Sequence, residues 1–199
     1  MEKGKFIVIE GIDGSGKSTL CKKISEKLQE KGIPVFLTFE PSTSIYGKEL
    51  RESFTKKERP GIKKELELFT LDRREHINNE VNPALEKGIA VVCDRYYFST
   101  MAYQGAMGAN PEEIRKENES LFPLPNLVII LVIKPEDAIL RITKSRGEAP
   151  NNFEKLDYLK KVSGLFDAIN PPPPILRLDA TMSPEMLTEK ALEYIDKIL

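Results

Sequence analysis

Near the start of the chain the segment Gly11-Ile12-Asp13-Gly14-Ser15-Gly16-Lys17-Ser18 lies between an apolar run, Phe6-Ile7-Val8-Ile9, and a helical pattern. This order dictates strand, tight loop and helix, because the glycines permit backbone conformations that a side chain opposes. In such a loop, successive backbone N–H groups curl around an anion at the positive end of a helix. Lys17 adds a cation toward the outer phosphates of a nucleoside triphosphate, and Ser18 offers an oxygen to Mg²⁺. The expected phosphate cradle therefore comprises Gly11, Ile12, Asp13, Gly14, Ser15, Gly16, Lys17, Ser18 and Thr19.

Further β-branched runs follow at Val35 to Phe39, Ile89 to Cys93, Leu127 to Ile133 and Ile175 to Leu178, separated by segments of helical periodicity. Strands alternating with helices predict a five-stranded parallel sheet covered on both faces. After the phosphate loop, Leu20, Ile24 and Leu28 form an amphipathic stripe, and Gly32 supplies a stop. A longer pattern from about Lys63 to Glu86 places Leu66, Phe69, Arg73 and His76 on one side of a helix. Ser183-Pro184 opens the last helix, with Leu187, Ala191, Tyr194 and Ile198 as its expected buried stripe. The run from Pro171 to Pro174 reads as a stiff lead into the final strand.

At 199 residues the chain suits one core, so residues 1–199 are expected to form one domain. Thirty Lys and Arg balance thirty-one Asp and Glu, which leaves no overall field to draw nucleic acid or membrane. The longest apolar run, Leu127 to Ile133, is too short to span a bilayer. With the first strand starting at Phe6, a cytoplasmic protein is expected. Cys21 and Cys93 lack metal-ligand spacing and read as reduced, partly buried thiols.

The third apolar run ends in Asp94-Arg95-Tyr96-Tyr97-Phe98-Ser99-Thr100-Met101-Ala102-Tyr103-Gln104-Gly105. A parallel sheet exposes its ligand crevice at the carboxyl ends of its strands, so Asp94 and Arg95 fall where a ligand would sit. Asp94 can orient metal-bound water, while Arg95 can hold a phosphate bidentately. A helix starting near Tyr96 puts Ser99 and Tyr103 on one face, which can line a pocket.

These residues resemble the thymidylate kinases. The resemblance runs from Phe6 to about Asp179 and includes Asp13 within the phosphate loop and the turn Phe39-Glu40-Pro41. It continues through Leu68-Phe69-Thr70-Leu71-Asp72-Arg73 with His76, and through Arg141 and Arg146-Gly147-Glu148. It implies a three-layer α/β P-loop NTPase fold with a short lid at about residues 141–154, and a homodimer by family analogy. It also implies transfer of the γ-phosphoryl group of ATP to thymidine monophosphate (dTMP) with Mg²⁺. By the same resemblance Phe69 stacks on thymine and Arg73 reaches a base carbonyl. Asp13 holds the sugar 3′-hydroxyl and Tyr103 crowds the 2′-position. Thr100 lies near the base, Ser99 and Gln104 are further substrate-binding residues, and Arg95 grips the acceptor phosphate. Ser18 and Asp94 are the metal-side residues.

Several positions depart from the family pattern. Asn151-Asn152-Phe153-Glu154 replaces an Asp-Arg pair in the lid, so Arg146, helped by Arg141 and Lys144, is the expected lid cation beside Lys17 and Arg95. Val132 stands where the family has an acid, and Phe39 where it often has an arginine. His76 is expected to be a hydrogen-bonded structural residue, and Lys56-Lys57-Glu58-Arg59 a solvated loop. A kinase for another deoxynucleoside monophosphate is the alternative enzyme. A non-catalytic nucleotide-dependent switch is the alternative of another class, although the chain has no Asn-Lys-x-Asp guanine-reading motif.

Overall fold

The computed structural model describes residues 2–55, 59–146, 156–170 and 172–199, with the backbone alone at 145 and 146. The strands are β1 (Phe6–Gly11), β2 (Val35–Phe39), β3 (Ala90–Asp94), β4 (Leu127–Val132) and β5 (Ile175–Asp179). All pairings are parallel, in the order β2-β3-β1-β4-β5. The three central strands are nearly continuous apolar runs because helices bury both their faces, whereas edge strands β2 and β5 are only half covered.

Helix α1 (Lys17–Glu30) follows β1 and packs beside α9 (Pro184–Ile195). Helix α5 (Tyr97–Ala106) follows β3 and packs with α6 (Pro111–Leu121) and α8 (Leu156–Asp167). Adjacent strands β1 and β3 thus send their chains to opposite layers, and the crevice opens between their carboxyl ends. Helix α2 (Ile45–Thr55) packs on α3 (Ile62–His76), while α7 (Pro135–Arg146) packs on α8. The expected Lys63–Glu86 helix is one helical run in three parts, α3, a π-helical turn at Ile77–Val81 and α4 (Asn82–Glu86).

Leu20, Ile24 and Leu28 of α1 are buried as expected, and Gly32 ends that helix at φ 76°. In α9 the buried stripe is Leu187, Thr188, Ala191 and Ile195. The expected Tyr194 is instead 44% exposed, with Lys197 Nζ over its ring, because the buried face centres on the Thr188 side. Arg59 also departs from the solvated-loop expectation. Its Nη2 pairs with fully buried Glu65 at 2.7 Å, while Lys56, Lys57 and Glu58 lie outside the described residues.

A buried polar cluster joins α3 to the end of β2. His76 Nδ1 meets Glu40 Oε1 at 3.1 Å, His76 Nε2 meets Thr38 Oγ1 at 2.7 Å, and Arg73 Nε donates to Glu40 Oε2 at 2.9 Å. The Glu40-Pro41 peptide is cis. Burial alone would raise the Glu40 pKa, but Arg73 and then His76 hold it below its usual value. Burial alone would lower that of His76, but Glu40, with Glu80 and Asp72 adding, raises it. The lowered carboxyl therefore stabilises the fold above about pH 4.5 and loses that contribution as pH falls through its folded pKa. The raised imidazole stabilises below about pH 6.5 and loses its contribution as pH rises through its folded pKa. The urea-midpoint gap between wild type and His76→Gln should accordingly be widest around pH 5.5 and narrow as pH rises above about 6.5. A gap that stays constant over that range would contradict the charged pairing.

Candidate active site

The phosphate loop crosses from the end of β1 into α1, and its shape depends on missing side chains. A Cβ at Gly11 would meet the Leu131 carbonyl oxygen at 2.6 Å, and one at Gly14 would meet that of Ala138 at 2.5 Å. Gly14 and Gly16 both take positive φ, 79° and 98°, and Gly16 leads directly into α1. Lys17 Nζ donates to the Ile12 carbonyl at 2.9 Å and is buried against the loop it serves. Burial lowers the Lys17 pKa, with Arg95 acting the same way, while Asp13, Asp94 and Glu10 oppose the shift. Ser15 is also buried, and its hydroxyl has no partner among the described residues.

The register of β1 on β3 pairs Ile9 with Asp94, so the second cluster arrives beside the loop. Ser18 Oγ donates to Asp94 Oδ2 at 2.5 Å, while Asp94 Oδ1 is buried with no hydrogen-bond partner among the described residues. Arg95 has φ 75°, the one positive value outside glycine among the described residues. Its N–H donates to Ile9 at 2.9 Å, and its carbonyl accepts from Cys93 Sγ at 3.0 Å. Its guanidinium donates to Ser99 Oγ at 2.9 Å and Asp13 Oδ1 at 2.5 Å, and lies 5.2 Å from the centre of the Tyr103 ring. Tyr103 in turn donates to Asp13 Oδ2 at 3.1 Å and accepts the Asp13 N–H at 3.0 Å. Burial raises the Tyr103 pKa, so its hydroxyl remains a donor.

Three cavities meet around these groups. One of about 420 Å³ is lined by Asp13, Gly14, Gly16, Lys17, Ser18, Thr19, Asp94, Arg95 and Arg141. A second of about 360 Å³ shares Ser18, Asp94 and Arg95 and adds Phe39, Glu40, Pro41 and Arg51. A third of about 220 Å³ lies between the loop and Ala180, Met182 and Leu187, with Arg141 at its edge. Arg141 Nη2 donates to the Ala180 carbonyl at 2.8 Å.

Farther along α3 and α5, Phe69 is half-buried and stacks near Phe54, with ring centroids 6.4 Å apart. Arg73 is 1% exposed, and all three guanidinium nitrogens are engaged, by Glu40, Asn118 and Thr100. Its link to Thr100 is long, 3.3 Å, and the same Nη2 also lies 2.8 Å from Glu40 Oε2. Gln104 Nε2 donates to Glu65 Oε2 at 3.3 Å, while Gln104 Oε1 and Glu65 Oε1 lack hydrogen-bond partners among the described residues.

The structure thus brings Asp13, Lys17, Ser18, Asp94, Arg95, Ser99 and Tyr103 together, with Thr100 and Arg73 in contact beside them. Arg146 ends α7, and its side chain lies outside the described residues, as do Gly147, Glu148 and the lid positions Asn151 to Glu154. Sequence reasoning missed Arg51, whose Nη1 donates to the carbonyls of Pro41 and Ser42 and which faces the second cavity. It also missed Glu10, although a lone carboxylate ending the buried run Phe6 to Ile9 was a legible signal.

A family model described as "Thymidylate kinase" matches residues 9–191. The thymidylate kinase of Desulfotalea psychrophila is 48% identical over 85% of this chain and 83% of its own length. A probable thymidylate kinase of Archaeoglobus fulgidus is 42% identical over 98% and 96%, and the thymidylate kinase of Brachyspira hyodysenteriae 39% over 97% and 94%. With a match of this extent laid over a phosphate loop that faces an Asp-Arg pair across one crevice, this chain belongs to the thymidylate kinase family.

Proposed function

We propose that this enzyme transfers the γ-phosphoryl group of ATP to the 5′-phosphate of dTMP, forming ADP and thymidine diphosphate. The observation that carries this reading is that two adjoining cavities share Ser18, Asp94 and Arg95. A donor triphosphate on the loop and an acceptor phosphate on Arg95 would meet end to end over those three residues. The acceptor oxygen forms the new bond to the γ-phosphorus, and the bond to the β-γ bridging oxygen breaks, that oxygen keeping the electron pair and leaving with ADP. No general base is required, because the acceptor phosphate is already ionised near neutral pH. The transition state spreads charge over oxygens, so positioning and cations supply the catalysis. Lys17, Arg95 and Arg146 are the proposed catalytic cations, with Arg141 and Lys144 as helpers.

Mg²⁺ fits this site. Asp94 Oδ1 is a buried, unpartnered carboxylate oxygen next to Ser18, and two oxygen ligands suit an ion that keeps waters and takes the rest of its shell from phosphates. Ser18 and Asp94 would hold the ion, which when bound neutralises phosphate charge. On the acceptor side, Phe69 would stack on thymine, with Arg73, Thr100 and Gln104 along the base edge. Asp13 would take the sugar 3′-hydroxyl and Tyr103 would crowd the 2′-position. The reading also includes one domain with a lid near 141–154 and a homodimer, both by family resemblance, together with a cytoplasmic setting. Among the described residues, no helix is long and apolar enough to cross a membrane.

In a coupled ADP-release assay across nucleoside monophosphates, dTMP should be the preferred acceptor, and turnover should stop on Mg²⁺ removal. Lys17→Ala or Arg95→Ala should keep the thermal melt while lowering kcat by about 10²-fold or more. Near wild-type turnover in either variant contradicts the assignment. Phe69→Ala should weaken dTMP binding by about 1–3 kcal/mol of lost stacking without changing the KM for ATP. Equal effects on both substrates would place Phe69 outside the acceptor pocket.

A further inference from the structure

Glu10 stands where a central parallel strand normally places an apolar side chain, and it is 0% exposed. A buried carboxylate is costly, and burial raises the Glu10 pKa to about 7 even though the Ser99 hydroxyl, Arg95, the Tyr96 N–H and Lys17 all pull it down. Its hydrogen-bond donors come from one place. Oε1 accepts the N–H groups of Tyr96 at 2.8 Å and Ser99 at 3.1 Å, and Oε2 accepts the Ser99 hydroxyl at 2.6 Å. Tyr96 is the N-cap of α5, yet no local side chain caps that helix. The cap is supplied across the sheet by β1, and a carboxylate at this end also faces the positive end of the helix dipole.

The connection continues to the crevice. Ser99 Oγ, while donating to Glu10, accepts from Arg95 Nη1 at 2.9 Å. Arg95 carries a left-handed backbone that an L-residue adopts only when its surroundings impose it. Its neighbours on both sides are fixed, its own N–H by Ile9 and the following N–H by Glu10. Its guanidinium has one anchor on Ser99 and one on Asp13. An arriving acceptor nucleotide competes for the Asp13 anchor, since its phosphate attracts Nη2 and its sugar hydroxyl attracts the carboxylate. The Ser99 anchor persists, with the Tyr103 ring alongside, and Glu10 orients that anchor.

We propose that Glu10 is a positioning residue for the acceptor-phosphate cation, aiming Arg95 through Ser99 and through the cap it places on α5. This rests on the reading above that Arg95 holds the acceptor phosphate. Replacing the carboxylate by an amide keeps an acceptor for the backbone N–H groups but turns the group facing Ser99 into a donor. The serine hydroxyl then loses the acceptor that fixes its rotamer, and its oxygen has to accept from the amide as well as from Arg95. The guanidinium is displaced while the helix cap survives.

The test uses the full chain as wild type, Glu10→Gln, Ser99→Ala and the double variant, with ADP-release kinetics at about pH 8, where Glu10 is ionised, at varied dTMP and varied ATP, and a thermal melt for each. Each single variant should lower kcat/KM for dTMP by roughly tenfold to a hundredfold and leave the KM for ATP unchanged. The double variant should be no worse than the more severe single one, because both act along one chain of hydrogen bonds. Folded single variants with wild-type dTMP kinetics, equal losses toward both nucleotides, or losses that multiply in the double variant would overturn the proposal. Should Glu10→Gln fail to fold, Glu10→Asp takes its place, a dTMP-selective loss no worse when combined with Ser99→Ala supporting the role and unchanged dTMP kinetics in Ser99→Ala overturning it. A wild-type chain without dTMP-dependent ADP release overturns the functional reading and this role with it, whereas an active wild type with unaffected variants overturns the role alone.

Discussion

Parallel pairing of β1 with β3 sets Ile9 against Asp94, and the site depends on that register. It places the phosphate loop, which leaves β1, beside the Asp94-Arg95 pair, which leaves β3. Helices α1 and α5 then depart to different layers, leaving the gap between the two strand ends as the crevice. The pairing is secured by apolar burial on both faces of the central strands, with Ile7, Val8, Ile9, Val91, Val92 and Cys93 all inaccessible to solvent. A slip of one residue would turn every one of those side chains to the other face and carry Arg95 away from the loop.

Around this frame the protein buries several charges. Glu10, Glu40, Glu65 and Arg73 are each almost fully enclosed, and none is isolated. Burial of an ion costs several kcal/mol unless charge-assisted hydrogen bonds compensate it. The compensating partners here are mostly the residues proposed to face substrate, or their immediate neighbours. Glu40 holds Arg73, Glu65 holds Gln104 and Glu10 holds Ser99. Such carboxylates keep long side chains in place before a ligand arrives, which removes an ordering cost from binding.

Local chemistry explains what was legible in the sequence. The strand-loop-helix order around Gly11 to Ser18, and the continuous apolar runs, follow from neighbours in the chain, and the fold reproduces them with strand ends moved by a residue or two. The pairing of Ser99 and Tyr103 on one helix face also followed from spacing alone. Long-range contacts were not legible. Nothing near Arg51 indicates that it faces the second cavity, and nothing near Glu65 indicates Arg59 and Gln104 as its partners. Arg73 was expected on one helix side with Phe69, but its enclosure among Glu40, Asn118 and Thr100 was not legible from its spacing. Tyr194 was misplaced because a seven-residue spacing from Leu187 falls at the rim of the buried stripe, not its centre.

The central claim is that two phosphorylated ligands meet over Ser18, Asp94 and Arg95. The most direct measurement is a crystal structure of the chain with dTMP and a non-hydrolysable ATP analogue. The account predicts the analogue's phosphates on the loop amides, the dTMP phosphate within hydrogen-bonding distance of the Arg95 guanidinium, and the thymine ring against Phe69. An Arg95 side chain turned out of the crevice, or a dTMP phosphate bound elsewhere, would contradict it.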